Sequence, residues 1–125
     1  MNLKPFIVKH NNITGLMLDV ENPSSVGADR ICNVVGANDK FKSPKIIVDF
    51  GTATTIDVIG KNREYHGGII YPGVQMSMEV LENKTAKLPS VEIVQMKSAL
   101  GKSTSESIQS GLFFGQIGIV KELRS

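Results

Sequence analysis

The sequence predicts an α/β fold in which a group of short strands is followed by helices. Hydrophobic residues make up 41% of the 125 residues, and apolar runs of strand length lie between residues 45 and 73. Two later segments repeat apolar side chains at helical spacing. The net charge is only +2, so the composition excludes general disorder. A chain of this length can bury roughly two-thirds of its unfolded surface, which is enough for a core.

The first part of the chain predicts extended pieces, one short helix and a linker. Residues 6–8 and 14–20 are expected to be extended. A helix is expected within residues 26–38, beginning near Asp29, because aspartate is a common N-terminal capping residue. The polar stretch 39–44 ends in proline and is the best linker candidate.

Between residues 45 and 73 the pattern predicts three strands. Residues 45–50 (KIIVDF) form an apolar, β-branched run that is typical of a buried strand. After Gly51, residues 52–60 continue with β-favouring side chains, and residues 64–73 follow a polar turn. Because the connections are short, we expect an antiparallel meander.

The rest of the chain predicts a helix over residues 74–88, a short strand over 91–96 and a long helix over 103–123. Ser103, or the threonine after it, is expected to cap the long helix with Glu106 as its reciprocal partner. From residue 45 the order is therefore β-β-β-α-β-α. That order begins an RNase H-like α/β unit, which ordinarily needs one more strand and helix.

Charge, cysteine content and hydropathy exclude several classes of protein. The 14 basic and 12 acidic residues are scattered, so no nucleic-acid partner is expected. The single cysteine, Cys32, excludes an intramolecular disulfide and a cysteine-based zinc cluster. No apolar run approaches the ~20 residues that cross a bilayer, and no signal peptide is recognisable. We therefore expect a cytoplasmic chain with no membrane partner.

The strongest chemical signal is Asp49-Phe50-Gly51-Thr52-Ala53-Thr54-Thr55, at the end of a predicted strand. A carboxylate can hold a cation, a glycine lets the backbone approach a phosphate, and hydroxyl and N–H groups bind phosphate oxygens. A threonine-rich hairpin turn without a ligand explains the same residues equally well.

A second candidate is the pair Asp29 and Arg30, which follows Gly27 and Ala28. A carboxylate beside a guanidinium can act as a general base next to an anion-binding group. Taken alone, the same residues are better explained by a helix cap paired with a surface arginine.

The last predicted helix carries Thr104, Ser107, Gly111, Gly115 and Gly118 on one face. Each interior glycine costs roughly 1 kcal/mol relative to alanine. The stripe therefore predicts close approach of another helix or backbone, within the domain or across a dimer. Ligand contact at the Thr104 end is the alternative.

Five segments, in order over nearly the whole chain, resemble motifs of the type III pantothenate kinases. They are residues 21–23 with 26–30, 47–55, 67–73, 85–89 and 101–111. The resemblance implies an actin-like kinase fold with ATP held between two RNase H-like domains, and a homodimer. Residues 1–44 would be the end of the first domain and the linker, and residues 45–125 a truncated second domain.

The reaction that the resemblance implies is ATP-dependent phosphorylation of pantothenate to 4'-phosphopantothenate in coenzyme A biosynthesis, with Mg²⁺ and K⁺ or NH₄⁺. Asp29 matches the catalytic base. Gly27, Ala28, Asp29 and Arg30 match the pantothenate-binding stretch. The remaining matches are a further pantothenate contact at Thr104, an ATP contact at Thr52 and the potassium ligand at Asp49.

The sequence also departs from the family pattern. Nothing before Asp49 matches the second phosphate loop of the Asp-x-Gly-Asn-Thr kind. A truncated, non-catalytic remnant that dimerises or binds a full-length partner is therefore the alternative. A transcriptional regulator ranks last, since no helix carries the clustered arginine and lysine side chains that read DNA.

Overall fold

The structure is a computed structural model that describes residues 2–85 and 87–124. A 3-10 turn at Pro23–Ser25 precedes three helices and three strands. In chain order these are α1 (Ala28–Lys40), β1 (Lys45–Phe50), β2 (Ala53–Ile59), β3 (Tyr65–Pro72), α2 (Val74–Lys84) and α3 (Thr104–Arg124).

Helix α1 forms where a helix was expected, but its cap differs from the prediction. The N-cap is Gly27 and not Asp29, and the Ile31 N–H donates to the Gly27 carbonyl at 3.1 Å. Asp29 lies in the first turn, where the partial positive charge of the helix N-terminus favours a carboxylate. Ile31 and Val34 are buried and, at i and i+3, hold one side of the helix against the core.

The three strands form one antiparallel sheet in the order β1-β2-β3, which confirms the predicted meander. The central strand β2 is the most buried, and Ile56, Asp57 and Ile59 on it are 0% exposed. The β2–β3 turn closes with a bond from Gly60 N–H to Glu64 O at 2.9 Å. Arg63 in that turn adopts a φ of 71°, a left-handed conformation that tight turns require.

An extended segment before α1 adds to the sheet. Leu18 forms a parallel bridge with Tyr65, the first residue of β3. The Tyr65 N–H donates to Met17 O at 2.9 Å, and the Asp19 N–H donates to Tyr65 O at 2.8 Å. The extended conformation expected over residues 14–20 is thus confirmed around Leu18.

The chain divides into two compact units. The first runs up to Asp49 and includes Thr55–Ile70, and the second contains Phe50–Thr54 and the chain from Tyr71 onward. The core of the first unit is formed by Val34, Ile59 and Tyr65, with partly buried apolar side chains packed around them: Leu16, Leu18, Val20, Val26, Ala37 and Ile47.

In the second unit, α2 is shorter than the helix expected over residues 74–88. It ends at Lys84, and the Thr85 hydroxyl donates to the Leu81 carbonyl. The ring of Pro89 would clash with the carbonyl of Thr85 if the helix continued, which explains the early end.

The strand predicted over residues 91–96 is not formed, so that prediction is wrong. Val91 instead joins the second core, with Ile108 and Leu112 of α3. The Gln109 side chain donates to the Glu92 carbonyl at 3.0 Å. This segment therefore bonds to a helix, and the order from residue 45 is β-β-β-α-α. The general α/β class is confirmed, but the RNase H-like topology is not.

Helix α3 begins as predicted. The Glu106 N–H donates to Ser103 Oγ at 3.1 Å, and the Glu106 carboxylate accepts from the Lys102 N–H at 2.7 Å. Ser103 thus caps the helix. In a standard capping box Glu106 would accept from the N–H of Ser103, whereas here it accepts from the N–H of the preceding residue. Among the described residues, no helix is both long and apolar enough to cross a membrane.

Candidate functional site

The predicted substrate-binding stretch lies at the first turn of α1. Asp29 is exposed, and its carboxylate folds back over the helix N-terminus. A Cβ built on Gly27 would lie only 2.6 Å from Asp29 Oδ1. The absence of a side chain at Gly27 therefore lets the carboxylate lie close to the backbone, where the helix partial charge stabilises it.

Arg30, the next residue, points into the first unit. Its Nε and Nη2 donate to Asp57 Oδ1 at 2.8 and 2.5 Å, and its side chain is only 13% exposed. The interpretation of Asp29 and Arg30 as a helix cap and a surface arginine is therefore wrong for both residues.

Tyr65 completes this buried polar group. Its hydroxyl donates to the same oxygen, Asp57 Oδ1, at 2.9 Å. The Arg30 guanidinium carbon lies 5.7 Å from the Tyr65 ring centroid. Burial raises the pKa of Tyr65 to about 12, with a further contribution from Asp57 that Arg30 partly opposes.

Sequence reasoning missed Asp57. A weak signal was present, since an aspartate in the middle of a predicted strand needs a partner if that strand is buried, as this one is. That partner, Arg30, lies 27 residues earlier. Local periodicity carries no information on a pairing over such a distance.

Asp49, the predicted potassium ligand, is exposed at the end of β1 and accepts a hydrogen bond from Asn33 Nδ2 at 2.9 Å. Asn33 lies four residues after Asp29 on α1, so the two side chains lie on the same helix face. The structure thereby brings the predicted base and the predicted cation ligand to one side of the first unit. Sequence reasoning also missed Asn33, although its i+4 spacing from Asp29 was a usable signal.

Thr52 lies in the β1–β2 turn, within the second unit, and is exposed. The Gly73 N–H donates to Thr52 O at 3.0 Å. A Cβ on Gly73 would overlap the carbonyl oxygens of Gly51 and Thr52 and lie 2.8 Å from the Thr52 carbonyl carbon. The backbone of this turn therefore rests directly on the N-cap of α2, which leaves the Thr52 side chain facing outward.

Thr104, the first residue of α3, lies at a mostly apolar cavity of about 600 Å³ within the second unit. Thr104 and Ser107 contribute hydroxyl groups to its lining, and Gln116 contributes an amide whose buried oxygen has no hydrogen-bond partner among the described residues. The apolar lining includes Tyr71, Met76, Val80, Leu81, Ile108 and Leu112.

Two of the three glycines of α3 face open space in the described part of the chain, and the third contacts only a side-chain hydroxyl. A Cβ on Gly111 or Gly118 would meet nothing within 4 Å, and one on Gly115 would lie 3.7 Å from the Tyr71 hydroxyl. Close helix packing against these glycines within the domain was therefore a wrong prediction. The dimer alternative stays a prediction.

The oxygen atoms at Asp49 are of the kind that would coordinate K⁺, the cation implied by the resemblance. Asn33 Nδ2 bonds Oδ2 of the carboxylate, and both the other carboxylate oxygen and the amide oxygen of Asn33 are of the type that hard cations prefer. Among the described residues, no three histidine, cysteine or acidic side chains form a metal-binding group.

Comparison with known proteins gives the family. A family model described as type III pantothenate kinase matches residues 1–125. The chain belongs to the type III pantothenate kinase family. The resemblance inferred from the five sequence segments is thereby confirmed.

The type III pantothenate kinases most similar to the chain include one from Exiguobacterium sibiricum, 50% identical over 122 residues. Another, type III pantothenate kinase 1 from Francisella tularensis subsp. holarctica, is 52% identical over 124 residues. One from Legionella pneumophila is 48% identical over 123 residues. Each alignment covers 98% of this chain and 48% of the relative. The chain thus spans about half the length of the relatives it matches.

A solved structure from Campylobacter jejuni, described as a Baf family transcriptional activator, has a similar fold. The TM-score is 0.64 at 24% identity, over 86% of this chain and 49% of that one. At this identity the similarity shows the fold alone.

Proposed function

We propose that this chain contains the pantothenate-binding residues and the general base of a type III pantothenate kinase. Such an enzyme phosphorylates pantothenate to 4'-phosphopantothenate with ATP in the synthesis of coenzyme A. Family membership supports this proposal. The observation that carries it is the first turn of α1, where Asp29 is exposed over the helix N-terminus while Arg30 is anchored inside.

Asp29 is the general base in this proposal. A hydroxyl nucleophile needs a base within hydrogen-bond reach, and an exposed carboxylate at a helix start meets that need without steric obstruction. Gly27 has no side chain and Ala28 only a methyl group, so a substrate can reach the Asp29 carboxylate, which itself lies over Gly27. Arg30 binds Asp57 through Nε and Nη2, and Nη1 is the nitrogen proposed to meet the substrate carboxylate.

Binding of ATP and of the monovalent cation is assigned to two further residues that the sequence predicted. Thr52 is proposed to contact ATP from the exposed β1–β2 turn, and Asp49 to hold K⁺ or NH₄⁺. Bound Mg²⁺ and the monovalent cation would offset the negative charge of the transferring phosphoryl group. Thr104 is proposed as a further pantothenate contact, because its hydroxyl lies at the cavity of the second unit.

Domain organisation and assembly belong to the same proposal. Residues 1–44 are taken as the end of a first domain with its linker, and residues 45–125 as belonging to a second domain. A cytoplasmic homodimer is proposed, and the open space beside Gly111 and Gly118 leaves room for a second copy at α3.

A second candidate function is a non-catalytic chain that dimerises or binds a full-length partner. It is favoured by one observation: the face of α3 at Gly111 and Gly118 is open among the described residues, which leaves room for a partner chain. Such a chain would keep the substrate and cation motifs without phosphoryl transfer.

Titration of the ¹⁵N-labelled chain with pantothenate, followed by amide shifts, tests the substrate assignment. We expect saturable shifts at the amides of Gly27–Arg30. Pantothenol, which has an alcohol in place of the carboxylate, should bind more weakly because it cannot pair with Arg30. No shifts in this stretch at millimolar pantothenate would refute the substrate assignment.

A further inference from the structure

The fully buried carboxylate of Asp57 joins three elements of the first unit. It lies on β2 and binds Arg30 of α1 and Tyr65 of β3. We propose that Asp57 is a positioning residue that, acting through Arg30, fixes the rotation of α1 and so directs the Asp29 carboxylate toward the substrate. This inference rests on the proposed kinase function.

The arrangement at Asp57 is costly for a purely structural role. A buried carboxylate must be compensated by partners, and an apolar residue of similar volume often serves stability as well or better. All three hydrogen bonds fall on Oδ1, from Arg30 Nε and Nη2 and from the Tyr65 hydroxyl. The other oxygen, Oδ2, is buried without a hydrogen-bond partner among the described residues. A buried carboxylate with one unbonded oxygen is more readily explained if it orients Arg30 than if it only adds stability.

A second, independent feature makes room for this pairing. A Cβ on Gly68 of β3 would overlap the Ile56 carbonyl and lie 2.8 Å from Arg30 Nη2. The Ile56 carbonyl by itself requires a glycine here, and the terminal nitrogen of Arg30 lies in the space that the missing side chain leaves. The guanidinium therefore lies directly against the backbone of β3 at Gly68.

The link to Asp29 follows from helix geometry. Asp29 and Arg30 are consecutive, so their side chains diverge by about 100° around α1. When two nitrogens of Arg30 are held by one buried oxygen, the first turn cannot rotate without breaking that pair. The direction of Asp29 is thereby fixed, as a base within hydrogen-bond reach of its substrate requires.

Amide hydrogen exchange in Asp57→Asn tests the anchor without requiring turnover. The Ile31 N–H closes the first turn of α1 on Gly27 O at 3.1 Å. We expect its exchange to become about tenfold faster, because the turn opens locally when its anchor is weakened. The Ser77 amide, bonded to Gly73 O at 2.9 Å in the second unit, should be unaffected. Asp39→Asn, the same chemical change at an exposed position of α1, is the matched control.

The kinetic test separates positioning from stability. In Asp57→Asn we expect kcat to fall between about tenfold and a hundredfold, because a displacement of about 1 Å of a catalytic group has effects of that size. KM for ATP should not change. Added to Arg30→Met, the Asp57→Asn change should lower kcat no further, because its effect passes through Arg30.

The outcomes distinguish this inference from the proposed function. Unchanged Ile31 exchange in Asp57→Asn overturns the anchor, and so does a lowered melting temperature with unchanged kcat. Absence of pantothenate-induced amide shifts at Gly27–Arg30 refutes the proposed substrate assignment, while the exchange result still decides the anchor. If Asp57→Asn does not fold, Arg30→Met, which removes the α1 partner of the same pair, replaces it. An Arg30→Met chain with unchanged Ile31 exchange would then overturn the inference.

Discussion

Replacing Gly73 with alanine tests the packing that holds the β1–β2 turn. The new Cβ would overlap the carbonyl oxygens of Gly51 and Thr52 and lie 2.8 Å from the Thr52 carbonyl carbon. Backbone atoms cannot rotate away as a side chain can, so the turn itself must shift. The shift also strains the bond from Gly73 N–H to Thr52 O, now 3.0 Å long.

The expected cost follows from these two effects. Overpacking costs about 1–3 kcal/mol, and a strained or lost hydrogen bond adds about 1 kcal/mol. Together they reduce the free energy of unfolding by about 2–4 kcal/mol. At this chain length each kcal/mol lowers the melting temperature by about 4 °C, so Gly73→Ala should melt about 8–16 °C below wild type.

Circular dichroism on heating measures the change. Gly36→Ala is the matched control, because a Cβ on Gly36 of α1 meets nothing within 4 Å. Alanine there should raise the free energy of unfolding by about 0.5–1 kcal/mol through helix propensity. If Gly73→Ala melts within about 2 °C of wild type, which is about a quarter of the smallest expected decrease, the turn does not rest on α2 as described.

Three further predictions concern α3 and Tyr65. Ser103→Ala removes the acceptor of the Glu106 N–H and should cost about 1 kcal/mol in chemical denaturation; a stability equal to wild type would contradict the cap. Gly111→Ala should stabilise the monomeric chain by about 1 kcal/mol, because nothing lies within 4 Å of its Cβ, and lower stability would reveal an unrecognised contact. Because the pKa of Tyr65 is raised from 10.0 to about 12, the unfolded chain loses this proton first as the pH rises. Tyr65 should therefore stabilise the fold fully below pH 10, and this stabilisation should fall between pH 10 and 12 by at most about 1.4 kcal/mol per pH unit. Urea denaturation of wild type and Tyr65→Phe across this range measures the difference, and identical slopes would refute it.

The sequence predicted those elements whose signals are local. The apolar run at 45–50 and the alternation after it gave the meander, and serine followed by glutamate three residues later gave the start of α3. The segment 91–96 has the same strand-like pattern. Val91 is buried against α3, and the Glu92 carbonyl accepts a hydrogen bond from a helix side chain, so tertiary contacts decided the conformation of this segment.

The candidate site was predicted in part. Asp29, Asp49 and Thr52 were recognised from motifs, and the structure leaves all three exposed. Asn33 and Asp57, which bond Asp49 and Arg30, were missed because those pairs are separated by 16 and 27 residues. Only folding brings them together, and no pattern of period 2 or 3.6 records such a pairing.

The role of Asp29 as general base is tested most directly by pantothenate-dependent ADP release from the 125-residue chain, supplied with ATP, Mg²⁺ and K⁺. We predict release that falls at least about a hundredfold in Asp29→Asn, the usual loss when a general base is removed, and that is unchanged in Asp39→Asn. Near-normal release from Asp29→Asn would contradict the assignment of the base. No release from a wild-type chain that melts cooperatively would contradict turnover by these 125 residues and favour the non-catalytic alternative.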